Sequence, residues 1–121
     1  MDYRELIAYR KSVDLAMQIF EITKKYPKEE TYALTDQVRR SSRSVSANMA
    51  EAYRKRSYIK QFRSKLSDSD AENAETQTWL EFSFKCGYID KIVYNRLIES
   101  SIEIGKLINF MILNPKKFGV N

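Results

Sequence analysis

Histidine is absent from this chain, and cysteine occurs once, at Cys86. The first absence removes imidazole acid–base chemistry, His-ligated metal sites and any Ser-His-Asp relay. The second removes an internal disulfide and a thiolate metal cluster. Glycine (3) and proline (2) are scarce in 121 residues, so a fold rich in tight turns is disfavoured and long helices are favoured. No apolar run approaches the roughly 18 to 20 residues that span a bilayer. The opening Met1-Asp2-Tyr3-Arg4-Glu5 is charged and carries no apolar stretch of a secretion signal. The expectation is a cytoplasmic protein without membrane association.

What is present is enough for one core. The chain has the length of a single domain, and its 43% apolar content is too high for a disordered one. Four amphipathic segments can be read. The first, about residues 5–25, places Leu6, Tyr9, Val13, Ala16, Phe20 and Thr23 on one stripe, with Leu15, Ile19 and Ile22 beside it. Pro27 ends it. The second runs to about Lys55, with Thr35 or Asp36 as cap. Leu34, Val38, Val45, Met49 and Ala52 share one face, and Arg39, Arg43 and Arg54 lie nearly opposite. The third, about 58–86, has Ser57 as cap and Gly87 at its left-handed end. Its stripe of Ile59, Phe62, Leu66, Leu80 and Phe84 has a polar middle of Ser69, Asn73 and Thr76. The fourth, about 91–113, starts at an Asp90 cap and ends before Asn114-Pro115. Short joints between four such helices predict an all-α, antiparallel up-down four-helix bundle, one domain with a core of about 5–113 and a loose C-terminal tail.

Charge is segregated along the chain. Between Arg39 and Lys65 nine cations face one anion, Glu51, whereas between Leu66 and Phe84 five carboxylates face no cation. With a net charge of +5, the basic block is a footprint for phosphates. The nucleic-acid-binding candidates are Arg39, Arg43, Arg54, Lys55, Arg56, Lys60 and Arg63, with Tyr53 and Tyr58 placed to stack on bases. The competing reading is a solvated face that keeps the bundle soluble. Gln37, Arg40, Asn48 and Glu51, together with Glu75, are assigned to a structural polar network, and Arg40, Asn48 and Glu75 are expected to be at least partly buried. Trp79 and Phe82 form a second apolar strip that a lone bundle does not need, which predicts an oligomer interface. Glu72 and Glu75 with Glu99 and Glu103 are the pairs that an all-helical, Mg²⁺-dependent nucleotide hydrolase would use. Nothing else in the chain supports such a site, so no catalytic residue, metal or cofactor is assigned.

The stretch from Gln37 to Glu51 (QVRRSSRSVSANMAE) resembles the signature of the 23S rRNA intervening-sequence protein family. Tyr26-Pro27, Glu30, Tyr32 and Leu34-Thr35 upstream fit the same pattern, as do Phe62, Leu66, the run from Glu75 to Leu80, and Gly87-Tyr88-Ile89 downstream. Ala52 stands where the family usually has glycine, which argues for uninterrupted helix. The resemblance implies a four-helix bundle assembled as a homopentamer, without enzymatic activity. Some relatives are encoded within insertions in ribosomal RNA genes. A related branch accompanies the reverse transcriptases of diversity-generating retroelements and binds nucleic acid through basic surfaces. The leading expectation is therefore a non-catalytic oligomeric accessory protein that contacts RNA or DNA phosphates. The runner-up is an oligomeric scaffold for a protein partner such as a reverse transcriptase.

Overall fold

The computed structural model describes residues 2–120. They form four α-helices, α1 (Ile7–Thr23), α2 (Leu34–Arg54), α3 (Ile59–Lys85) and α4 (Lys91–Leu113), with short 3₁₀ turns at Tyr3–Glu5, Lys28–Glu30 and Pro115–Phe118. No strand occurs among the described residues.

Each helix packs on two neighbours, so the four close a ring around one core: α1 on α2, α2 on α3, α3 on α4 and α4 on α1. Partnered residues run in opposite order along neighbouring helices. Ser12 and Thr23 of α1 meet Ser46 and Arg39 of α2. Ser41 and Val45 of α2 meet Thr76 and Ser69 of α3. Arg63 and Asn73 of α3 meet Ile112 and Ser101 of α4. This order is consistent with the expected up-down course. One end of the bundle consequently gathers the start of α1, the end of α2, the start of α3 and the end of α4.

The apolar face expected for α2 is buried in full: Leu34, Val38, Val45, Met49 and Ala52. Phe62, Leu66 and Leu80 of α3 and Leu97, Ile104, Ile108 and Met111 of α4 meet it. In α1 the inward face lies slightly round from the expected stripe. Ala8, Ser12, Leu15, Ala16, Ile19 and Thr23 are buried, whereas Val13 is exposed, because the centre of contact runs through Leu15 and Ile19.

Helix ends also differ from the sequence reading. Leu6 sits in extended backbone and separates α1 from a 3₁₀ turn closed by an Asp2–Glu5 capping box. Neither Thr35 nor Asp36 caps α2. Its N-cap is Ala33, and the Glu30 carboxylate accepts from the Leu34 N–H at 3.3 Å. Ser57 does not cap α3, whose N-cap Tyr58 makes no side-chain cap bond. Asp90 does cap α4, accepting from the Val93 N–H, and Gly87 has the left-handed φ of 78° that the turn after α3 requires.

The C-terminal segment is docked, not loose. Val120 is buried in the core, Phe118 packs edge-on against Phe110, and Arg56 reaches the Phe118 carbonyl at 3.5 Å. An apolar Phe-Gly-Val ending gives the tail burial energy that its two lysines obscure in a charge-based reading.

Candidate nucleic-acid interface

The basic block lies on α2 and on the turn into α3, and the fold divides it into two neighbourhoods. The first is a cleft of about 450 Å³ beside the first half of α2. Arg39 is held there: its Nε donates to Thr23 Oγ1 at 2.7 Å, and its guanidinium lies 4.8 Å from the centre of the Phe20 ring. Arg43 lies over the same ring at 5.7 Å. Two arginines ordered on one aromatic ring keep their charge while losing little freedom on binding an anion. Arg40 lines the same cleft, paired with Asp36 at 3.5 Å.

The second neighbourhood is the end of the bundle where α2 stops and α3 begins. Arg54, Lys55, Lys60 and Arg63 are exposed there, and Arg56 is half-buried. Arg56 donates through Nε to the Tyr53 carbonyl at 2.8 Å and lies 3.8 Å from the Tyr53 ring centre. Arg63 donates through Nε to the Ile112 carbonyl at 3.2 Å. Both carbonyls belong to the last turns of helices, the negative ends of the backbone dipoles, which favour cations. The docked tail adds Lys116 and Lys117, both exposed. The sequence reading missed these two. Their proximity could have been inferred only from the return of α4 to this end.

Ion pairing distinguishes the members of the block. Arg40 pairs with Asp36, and Lys65 pairs with Glu51 at 3.0 Å and with Asp68 at 4.0 Å. The hydrogen bond that Lys65 donates to the Glu51 carboxylate, with the Glu51 charge, holds the Lys65 ammonium above its ordinary pKa. Among the described residues, no carboxylate lies within 4 Å of the charged groups of Arg39, Arg43, Arg54, Lys55, Arg56, Lys60, Arg63, Lys116 or Lys117. A nearby acid does stand at the rim: Asp2 shares a cleft with Arg54, Arg56 and Tyr3.

Several assignments are corrected. Tyr53 is buried beneath Arg56, so it has no face for a base, while Tyr58 is exposed. Of the residues assigned to a polar network, Asn48 and Glu75 are half-buried and hydrogen-bonded as expected, each within its own helix, whereas the other three are not covered. Gln37, Arg40 and Glu51 are exposed, because they point from α2 toward solvent beside the α3 contact. Asn48 is half-buried and donates to the Ser44 carbonyl of its own helix. Glu75 is half-buried and accepts from Trp79 Nε1 at 3.2 Å.

The network that does form is made of short side chains. Ser12 and Ser46 bond at 2.8 Å between α1 and α2, and Ser69 donates to the Val45 carbonyl at 2.7 Å. Thr76 donates to Ser41 Oγ, and the Asn73 amide bonds both the Ser101 carbonyl and its hydroxyl. Gly105 permits this approach of α4: a Cβ there would come within 3.3 Å of Asn73 Nδ2.

The remaining candidates fall elsewhere. Trp79 is half-buried against the core, so the outward apolar strip is narrower than expected and consists mainly of Phe82, its ring 5.9 Å from Trp79. Among the carboxylates, Glu103 pairs with Lys11 at 2.8 Å. Burial, together with neighbouring Glu75 and Asp68, raises the Glu72 carboxyl above its ordinary pKa. Among the described residues, no three acidic or sulfur side chains gather into a metal-binding group, and no helix is long and apolar enough to cross a membrane.

A sequence profile described as 23S rRNA-intervening sequence protein matches residues 4–110. The chain is also similar to a crystal structure of a protein with unknown function from the S23 ribosomal protein family of Bacteroides thetaiotaomicron. The two are 31% identical, with 88% of this chain and 95% of that chain covered, and superpose with a TM-score of 0.79. Among curated proteins, none is similar enough to count as a relative.

Proposed function

This chain belongs to the 23S rRNA-intervening sequence protein family, and from that premise we propose that it is a non-catalytic, oligomeric nucleic-acid-binding accessory protein of the cytoplasm. The observation that carries this reading is the set of cations without carboxylate partners at one end of the bundle and along the outer face of α2. Arg39, Arg43 and Arg54 share that face, and from Arg39 to Arg54 the helix rises about 22 Å, long enough to follow several phosphates of one strand. The antiparallel up-down order brings Lys116 and Lys117 to the same end. A ring of subunits, five by family resemblance and joined in part through Phe82 and Trp79, would present these contacts together and multiply weak affinities.

A protein-scaffold role is the second reading, with a reverse transcriptase as one partner of suitable kind. It is favoured by an apolar groove of about 280 Å³ between α1 and α4, lined by Leu6, Ile7, Leu107, Phe110 and Met111.

A gel-shift series separates the two. With about four to six phosphates neutralised, log K should fall with log salt at a slope of roughly −3 to −5. Replacing Arg54, Lys55 and Arg56 by Ala should shrink that slope while the helical circular dichroism is retained. Binding should be nearly independent of sequence, since phosphate contacts carry no base information. No retardation of RNA or DNA even in low salt would favour the scaffold. A variant that binds as tightly as wild type, with the same slope, would exclude the basic end as the site.

A further inference from the structure

We propose that the groove between the first turn of α3 and the docked C-terminal segment receives one unpaired nucleobase, so that the protein prefers single strands to duplex. This rests on the phosphate-binding reading above and narrows it to a ligand class. The groove has a volume of about 430 Å³. Ile59, Leu113 and Pro115 supply an apolar wall, while Arg63, Asn114 and Lys116 supply the polar one.

Leu113 is 67% exposed and Ile59 37% exposed, so this wall is left to water although it adjoins the core. The cations beside it have no carboxylate within 4 Å among the described residues.

Those two properties together select the occupant. A bare phosphate would use the cations and leave the apolar wall wet. An uncharged apolar segment would cover the wall and strip water from cations that gain no partner, which is costly. A nucleotide joins a flat apolar ring to a phosphodiester in one unit and satisfies both. In a duplex the bases are stacked inside, and only phosphates reach such a groove.

Two details suit this ligand. Arg63 is anchored through Nε on the Ile112 carbonyl, which leaves its terminal nitrogens to fork onto a phosphate. Asn114 spends its Nδ2 on the Phe110 carbonyl, which leaves Oδ1 to accept from a base N–H. Exposed Tyr58 and Lys60 flank Ile59 in the chain, so the groove belongs to the basic end of the bundle.

The test is fluorescence anisotropy with three labelled probes in one buffer: oligo-dT, an abasic strand of equal length and charge, and a DNA duplex. Oligo-dT should bind about fivefold or more tighter than the abasic strand, as expected for burial of a base face. In Ile59→Ser/Leu113→Ser that preference should vanish, while abasic affinity and its salt slope stay as in wild type. Equal affinity of wild type for oligo-dT and abasic strand overturns the base slot and leaves the phosphate reading standing. So does a preference that survives in the double variant. No binding of any probe overturns both.

Discussion

The polar seam inside the bundle and the basic end treat their hydrogen-bonding groups in opposite ways. In the seam Ser12, Ser46, Ser69, Asn73, Thr76 and Ser101 are buried, and each is matched to another atom of the chain. At the basic end the cations other than half-buried Arg56 stay in water, and Arg56 and Arg63 are held by backbone carbonyls and not by acids. A buried group has lost its water, so only an internal partner offsets that loss. A surface cation keeps its water and its charge, and so remains available to an external anion. Both regions are built largely from polar residues of α2 and α3. Burial decides which polar groups hold the fold and which are left to recognise something else.

The largest effect should come from the seam. Asn73→Ala removes partners from the Ser101 carbonyl and hydroxyl together, and should destabilise the bundle by about 2 to 4 kcal/mol in urea denaturation. A loss under ~0.5 kcal/mol would mean that the seam is not what fixes the helices. Arg40 provides the contrast. Its side chain is 72% exposed and its ion pair with Asp36 is an i,i+4 surface pair. Arg40→Ala should therefore cost no more than about 0.5 kcal/mol, and a loss comparable to that of Asn73→Ala would place Arg40 in the structural class after all.

The opposite end of the bundle supplies a finer measure. There the Tyr88 hydroxyl donates to Glu30 Oε2 at 2.8 Å, and that bond, with burial and the Glu30 charge, pushes the phenol from 10.0 up to about 12. Folding thus retains a proton that the unfolded chain releases. The contribution is whole below pH 10 and is lost as pH rises to about 12. Denaturation midpoints should fall across that interval, and Tyr88→Phe should reduce the fall. An unchanged pH profile in the variant would show that the matched surface pair adds nothing.

The fold was legible where a local rule was complete. The stripe of Leu34, Val38, Val45, Met49 and Ala52 needed only helical geometry, and α4 was bounded by an aspartate cap and by Asn114-Pro115. The polar middle of α3 was visible as Ser69, Asn73 and Thr76, but its partners were not, because Val45, Ser41 and Ser101 come from other helices. Arg40 and Glu51 were misread for a different reason. At 100° per residue they project about 140° and 120° away from Val45, so helical geometry by itself places them toward solvent. The tail was misread because docking of Val120 and Phe118 depends on where α4 ends.

Composition and spacing were enough to specify the four helices, the absence of histidine chemistry and of an internal disulfide, and the concentration of cations between Arg39 and Lys65. These are properties of composition and of a 3.6-residue period, and neither depends on a distant residue. Helix packing decided which cations lack an acid, because Lys65 finds Glu51 across helices whereas Lys60 and Arg63 find none among the described residues. It also decided that Lys116 and Lys117 join the basic end, and that an apolar wall opens beside Arg63. Charge is written residue by residue, but its compensation is a matter of distance, and distance between helices is set by packing.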